Sequence, residues 1–530
     1  MSESQRTQGF AIVVVLLISL VILMSVVTTA SVTTLTTRVT TADERVAYQA
    51  LLTAESGINS LEARIRSLPT ASRYHGPFND STPQLKTQSL AALNAWLNAQ
   101  GLATLELAEA NQVTLSITDL QTSPTERITV RSTGTLGDRG VKLVLVDFVR
   151  FREARLPPVS AALTSWPDIT VSGNAMITGQ AGTGASGQIS NLTTVTSSYT
   201  IKAGTPSPYS FVLQVDNATL IRVRGYLVIG GHTYRVASRE GSALQLTTLE
   251  RATAERAITA GTPVHLIPYA TAVEVRSLNA TTFKVSDALG FLVGDTIFVG
   301  VGVGARQATV TGIDHQRETI SVSWVGAPPS DSSPIAEGTP ITRAISGATS
   351  HRAIEVRGNA TVDNPRPHNS AISNPFALDP TRTLFYQIFK LTYQDFTARY
   401  PTVPSGSFNG VVSGVRHVSG HLNLTGNSSI CGRGVLVVNG DLIINGSCQE
   451  GFYGLIYVRG QYRQQGNSTI NGAVVAEGRS ELGHPSEDTA LAGTGQGEAK
   501  LGYDPRALLE ASLLIAPAEF SLSQGSWRQR

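Results

Sequence analysis

No charged side chain occurs between Arg6 and Arg38, and the 18 residues from Phe10 to Val27, FAIVVVLLISLVILMSVV, are apolar apart from two serines. A single segment placed in hydrocarbon must satisfy its own backbone, so this run is expected to be a helix. At ~1.5 Å per residue it is long enough to cross the apolar part of a bilayer. The preceding MSESQRTQG is short and polar with one positive charge, Arg6, which favours a cytoplasmic N-terminus. A cleaved secretory signal is the alternative, with Thr28-Thr29-Ala30-Ser31 as its cut region.

The residues that follow favour retention. Val32, Leu35, Val39, Ala42, Val46, Ala50, Ala54, Ile58, Leu61 and Ile65 recur at spacings of three and four, one apolar stripe that ends at Pro69. One helix is therefore predicted over 10–68, apolar all round in its first half and amphipathic in its second. A plain anchor has no use for the second half, whereas a helix that also packs into a bundle or onto a sheet does.

A polar leader ending in Gly9, then Phe10, then such a helix resembles the N-terminus of type IV prepilins. Ala54-Glu55-Ser56-Gly57 is similar to the "A-E-A-G" stretch of PilX-type minor pilins. The resemblance implies that a prepilin peptidase cuts between Gly9 and Phe10 and methylates the new N-terminus. It implies residence in the inner membrane as a single-pass protein, then assembly with major and minor pilins into a pilus at the cell surface. Most pilins carry Glu at the fifth mature position, where this chain has Val14. A carboxylate in hydrocarbon is costly unless paired, and members without it typically sit at the fibre tip. Val14 thus marks a tip position by resemblance.

Beyond the helix, 69–155 reads as a pilin-like α/β domain: a helical patch around Leu85–Leu97, then alternating VTLSITDL, RITVRSTGTL and VKLVLVDFVRF as antiparallel strands. Residues 421–440, 441–460 and 461–478 then repeat with periods of 20, 20 and 18, glycines 420, 440, 460 and 478 at matching corners. The phrase G-N-x-x-[IV] at Gly173 and Gly358 belongs to the same pattern. Short alternating strands at this period signal a β-solenoid over 156–190 and 351–480. Between them, 191–350 shows an approximate duplication, Tyr226-Leu-Val-Ile to Gly261-Thr-Pro-Val and Ile297-Phe-Val to Gly338-Thr-Pro-Ile, read as inserted β modules. Asp379–Tyr400 is expected to be a helix capping the solenoid's open end, and 481–530 a C-terminal segment that returns to the first sheet. The fold class is α+β pilin-like, followed by a β-solenoid with an all-β insertion. That architecture, with its Trp527-Arg528 ending, resembles the large competence-associated ComZ-like pilins of Thermus and Deinococcus, and the resemblance implies DNA uptake and extracellular DNA as a partner.

Signals for other chemistry are thin. His417 and His421 are four apart but lie at a repeat corner rather than on a helix, so no metal site is expected. Gly300-Val-Gly-Val-Gly lacks the strand-to-helix turn and lysine of a phosphate loop. No G-x-S-x-G or H-E-x-x-H motif occurs, and the acids of the repeats, Asp441, Glu450 and Glu477, fall at different repeat positions. No catalytic residue and no cofactor is expected. The N-x-[ST] triplets, such as Asn423, Asn445 and Asn467, read as corner residues rather than glycosylation sites. Cys431 and Cys448 lie in adjacent repeats, within reach of a disulfide in an exported domain. For DNA, 191–350 holds twelve Lys or Arg against eleven Asp or Glu, net +1. Within it Arg222, Arg224, Arg235 and Arg239 with Tyr226 and Tyr234 form a candidate phosphate-contacting strip, against the alternative of a solvated mixed-charge face. The leading reading is a non-enzymatic minor pilin at or near a pilus tip, serving pilus assembly and either DNA uptake or adhesion. Its alternatives are the tip pseudopilin of a type II-like secretion system and a membrane-anchored β-helix enzyme acting on polysaccharide.

Overall fold

One helix, α1 (Glu3–Ser67), runs unbroken through the apolar and the amphipathic stretches. It starts before the expected Phe10, so helical backbone continues through Gly9 and Phe10. The computed structural model describes residues 3–529 apart from 68–88, 109–110, 122–126, 137–139, 153, 160, 180–188, 224, 268–269, 275–276, 278–279, 289, 301–304, 315–316, 327–333, 351–352, 364, 368–382, 427–428, 483–497, 516–517 and 523–525. Arg224, the start of the 85–97 patch and most of the Gly300 run lie outside the described residues. The chain divides into two compact units, 1–151 with 518–530, and 152–517.

In the first unit a short helix, α2 (Leu90–Ala99), starts at the Ser89 cap, whose side chain accepts from Ala92 N. Four antiparallel strands follow, β1 (Thr104–Ala108), β2 (Asn111–Gln121), β3 (Arg127–Leu136) and β4 (Gly140–Arg152), in spatial order β1-β2-β3-β4. The edge strand β1 goes beyond the three strands predicted. Ala518–Leu522 and Arg528–Gln529 both pair with β4. The predicted C-terminal segment therefore divides, its last residues completing this sheet and the rest belonging to the second unit. Alternation decides the faces: Val113, Leu115 and Ile117 of β2, Ile128 and Val130 of β3, and Val144, Val146 and Phe148 of β4 are buried together with Leu93 and Leu97 of α2. The β2–β3 register shifts between Ile117 and Asp119. Asn94 of α2 meets the displaced backbone, donating to Ile117 O and accepting from Ile117 N at 2.9 and 2.8 Å.

The second unit is built on parallel ladders. Val411–Ser419, Cys431–Asn439, Phe452–Val458 and Thr469–Ala476 pair in sequence order, then Ala161–Ser165 and Ser346–Ser350 continue the ladder. A second ladder runs Leu422–Gly426, Leu442–Gly446, Tyr462–Gln465, Ser480–Leu482, Ile169–Val171, Ile354–Val356. Leu422 stands opposite Leu442, then Tyr462, then Ser480, so the sequence offsets of 20, 20 and 18 are the pairing offsets. The segments at 161–178 and 346–362, separated in sequence by the insertion, are neighbours in space.

Gly414, Gly434, Gly454 and Gly472 face one another down the first ladder. A Cβ on Gly434, Gly454 or Gly472 would fall inside the preceding glycine's carbonyl oxygen, and their φ values of 141–142° suit glycine alone. Where the offset shortens to 18, Gln464 is fully buried in an otherwise apolar column. It accepts from Tyr462 Oη at 2.7 Å and donates to Ser468 O and Oγ at 2.9 Å, leaving the amide satisfied.

The insertion forms two six-stranded antiparallel sheets with the same strand order. The first runs 210–214, 243–248, 232–240, 226–229, 263–266, 189–194; the second runs 282–284, 319–324, 306–314, 296–299, 340–343, 270–271. Both carry a register shift at the equivalent place, Val236/Ser238 and Val310/Gly312.

Of the helix predicted over Asp379–Tyr400, 379–382 lie outside the described residues, and the rest is two helices, α3 (Leu384–Phe389) and α4 (Tyr393–Arg399). Thr383 and Thr392 cap their starts, and Lys390, at φ 54°, breaks the path between them. Phe385 and Phe389 stand 5.0 and 5.4 Å from the Tyr457 ring, in the middle of the first ladder. The pair thus covers a ladder face rather than the ladder's end. The last helix, α5 (Pro505–Ile515), has its Ala507, Leu508, Leu509, Ala511 and Ile515 buried.

Candidate functional site

The described part of the apolar run, the 19 residues Val15–Thr33 of α1, contains no buried residue. Its large side chains from Val15 to Val27 are 53–66% exposed. Hydroxyls within and just beyond it are satisfied by the helix itself: Thr28 donates to Met24 O at 2.7 Å and Thr29 to Ser25 O at 2.8 Å. Hydroxyls bonded back to the helix in this way leave its surface the more apolar.

The second half of the same helix buries a face of small residues. Ala50, Thr53, Ala54, Gly57, Ile58 and Leu61 are buried at helical spacing. They meet a strand that tapers toward them, since along one face of β3 the side chains run Ile128, Val130, Ser132, Gly134. A Cβ on Gly134 would lie 2.3 Å from Ala50 O, and one on Gly57 2.3 Å from Val113 Cγ1. Ser132 Oγ donates to Ala54 O at 2.8 Å in this buried contact. The Ala54-Glu55-Ser56-Gly57 motif therefore has a physical reason, since its first and last residues let helix and sheet backbones touch. The spacing of Ala50, Ala54 and Gly57 carried that signal, but nothing in the sequence tied it to Ser132 and Gly134.

Gly9, Phe10 and Val14 are part of α1 by backbone, and their side chains lie outside the described residues. Cys431 and Cys448 are disulfide-bonded, with Cα atoms 5.9 Å apart.

Among its described residues, the arginine–tyrosine strip does not form. Tyr226 and Tyr234 are buried, and burial together with Glu337 pushes the Tyr226 phenol up to about 12. Arg222 is buried in an ion pair with Asp287. Arg239 donates to Ala218 O, Thr219 O and Ile221 O at 2.9, 2.9 and 2.6 Å. Arg235, partly exposed, lies 3.6 Å from Glu337. In the strand His232–Glu240, period-two alternation puts Tyr234 and Arg235 on opposite faces, the feature that separates them.

What the arginines build instead is a junction. Arg343, with no exposed side-chain surface, donates to Asp295 at 2.7 Å and to Val159 O at 3.1 Å, tying the second inserted sheet to the start of the ladders. Arg222 ties the first sheet to the second through Asp287. Lys390, half-buried beside these groups, is pushed down to about 8 by burial, against the pull of Asp287. Arg343→Ala is expected to destabilise the second unit by about 3–5 kcal/mol because it strands Asp295 in the interior. Replacing Arg343 and Asp295 together by Met and Leu should cost far less. Chemical denaturation of the two variants checks this.

His417 and His421 do not converge. His417 is buried, its ring bonded to Tyr393 Oη and Tyr400 O at 2.9 Å each, while His421 is exposed beside Asp441. Among the described residues no cluster of His, Cys, Asp or Glu is arranged to hold a metal. Burial, with Arg459 nearby, pulls His417 below the usual imidazole range. Its contribution to stability is present above the unfolded value of about 6.5 and is lost as pH falls through the folded one. Burial instead raises Glu477, bonded to Tyr457 Oη at 2.7 Å, so that group favours the fold as pH falls. The difference between wild type and His417→Gln isolates the histidine. Between neutral pH and pH 5 the wild type should lose more stability than the variant in parallel denaturation curves.

No family model and no curated protein matches the chain. Among solved structures, that of the competence-associated pilin ComZ from Thermus thermophilus aligns over 92% of this chain and 98% of its own, at 12% identity and a TM-score of 0.18. The neighbour is a pilin, but a TM-score that low carries no argument about the fold.

Proposed function

We propose that this chain is a non-enzymatic, pilin-like subunit of a type IV pilus, cut after Gly9, held in the inner membrane by α1 and then drawn with other pilins into a fibre. The observation that carries the reading is the division of labour along α1. Val15–Thr33 in its first half is apolar with no buried residue, and its second half is fitted by small residues to an antiparallel sheet. A signal peptide would be lost, and a plain anchor would not need Ala54 and Gly57. Val14, which offers no carboxylate to a neighbour's amine, supports a place at the tip as a minor subunit.

The 152–517 unit, on this reading a β-solenoid bearing two inserted modules, is the exported part that meets the extracellular partner. The Cys431–Cys448 bond fits export into an oxidising compartment. The buried arginines and tyrosines argue against the 222–239 strip as a DNA contact, leaving any DNA-binding role to other surfaces.

The proposal is tested by shearing surface fibres from cells and probing them for this chain. It should co-purify with the fibres at far below the major subunit's amount and sit at fibre ends by immunogold labelling. Its absence from fibres in cells that assemble them normally would refute the assignment.

A further inference from the structure

The second ladder ends in two strands that no further strand covers among the described residues, Leu422–Gly426 on one side and Ile354–Val356 on the other. The two ends differ. At the first, the inward-facing Leu422 and Leu424 are 2% and 4% exposed, so the core is closed there. At the second, Ile354 and Val356 continue the columns of the fully buried Ile169 and Val171, yet Val356 is 43% exposed and Ile354 half-buried. Thr361–Val362, the next strand of the same turn, is outermost too, with Val362 half-buried. Among the described residues the core is therefore open at this end.

The backbone at this edge is set for pairing. Ala353 O accepts from Ile169 N at 2.9 Å and Arg357 N donates to Val171 O at 2.7 Å, so the odd-numbered residues turn their backbone groups to the inner neighbour. Alternation then points the N–H and C=O of Ile354 and Val356 outward. Glu355 and Arg357 flank Val356 on the opposite face of the strand, each side chain 54% exposed, and pair with each other at 2.9 Å.

We infer that 354–357 is a self-complementary edge through which two copies of this chain pair antiparallel about a two-fold axis at Val356. In that register Val356 faces Val356 of the second copy as a hydrogen-bonded pair, because its N–H and C=O are the outward ones. Glu355 then stands opposite Arg357 of the second copy, and Arg357 opposite its Glu355. Both are non-hydrogen-bonded pairs, whose side chains lie closer. The two valines meet on the inner face and cover each other's open core. The partner is a second copy because the two-fold pairing sets opposite charges against each other twice, and it closes at two chains. The pairing needs only the second unit and stands whether or not the chain enters a fibre.

The test is sedimentation velocity of the full chain in detergent micelles over a range of concentrations. The wild type should show monomer and dimer, with the dimer fraction rising with concentration and nothing larger. Glu355→Arg alone, or Arg357→Glu alone, sets like charges against each other in both pairs. Each should lose the dimer while circular dichroism and melting stay as in the wild type. Mixed in equal amounts, the two variants set opposite charges in both pairs and should regain it, a rescue that no change within one chain can give. A wild type that stays monomeric, or that grows past the dimer, overturns the inference. So do single variants that dimerise like the wild type, or a mixture that remains monomeric. If either reversal lowers the melting temperature, Glu355→Lys mixed with Arg357→Asp carries the same outcomes.

Discussion

Gly454→Ala is expected to unfold or split the parallel ladders, at a cost of about 3 kcal/mol or more. Two separate effects add. The added methyl would sit inside Gly434 O and within 2.9 Å of Gly434 C, both backbone atoms that no rotamer change can move. The residue would also have to hold φ near 142°, a region closed to side chains with a Cβ. Gly472 lies on Gly454 in the same way, so an opening at one level disturbs the next. The same substitution at Gly204, where a Cβ would meet nothing within 4 Å, is the control, although its φ of 82° makes it mildly strained. Melting of the two variants should differ widely, and equal melting would mean that the glycine column is not what sets the ladder spacing.

The second large effect is expected from Gly134→Val in the first unit. Its Cβ alone would come within 2.3 Å of Ala50 O and 2.6 Å of Ala54 N, so α1 must lift from the sheet. Lifting breaks the Ser132–Ala54 hydrogen bond and uncovers Ile58, Leu61 and Val113, all now buried. Exposing Ile58 and Leu61 alone costs about 3–6 kcal/mol at ~1.5–3 kcal/mol each. Ser132→Ala removes only the hydrogen bond and should cost about 1 kcal/mol. Protease sensitivity of the α1–sheet unit, read by the release of fragments cut within α1, should rise sharply for Gly134→Val and barely for Ser132→Ala.

These two glycine contacts show where sequence reasoning reached and where it stopped. The repeats at 421–478 announced a stacking period because identical corners recur at fixed spacing, and that spacing is the pairing offset of the ladders. The duplicated Gly-Thr-Pro phrases at Gly261 and Gly338 likewise pointed to two β modules, and the insertion holds two sheets whose strands follow one order. Local alternation gave β2, β3 and β4, and the unbroken stripe gave α1. Partners far apart in sequence were not legible. Nothing near Arg343 shows that its carboxylate is Asp295 or that it reaches Val159, and nothing near Arg222 shows Asp287. Without those partners a cluster of arginines looks like a surface. The break between α3 and α4 has a local cause: Thr392 is a good cap, and a cap inside an apolar run marks a break.

The central claim is that α1 enters a membrane and then a fibre as a processed, retained helix. Intact mass and N-terminal sequencing of the protein extracted from membranes test it most directly. The expected product begins at Phe10, lacks the nine leader residues and carries one added methyl group on its N-terminal amine. A chain that begins at Met1, or one cut near Ala30 with the apolar run gone, would contradict it.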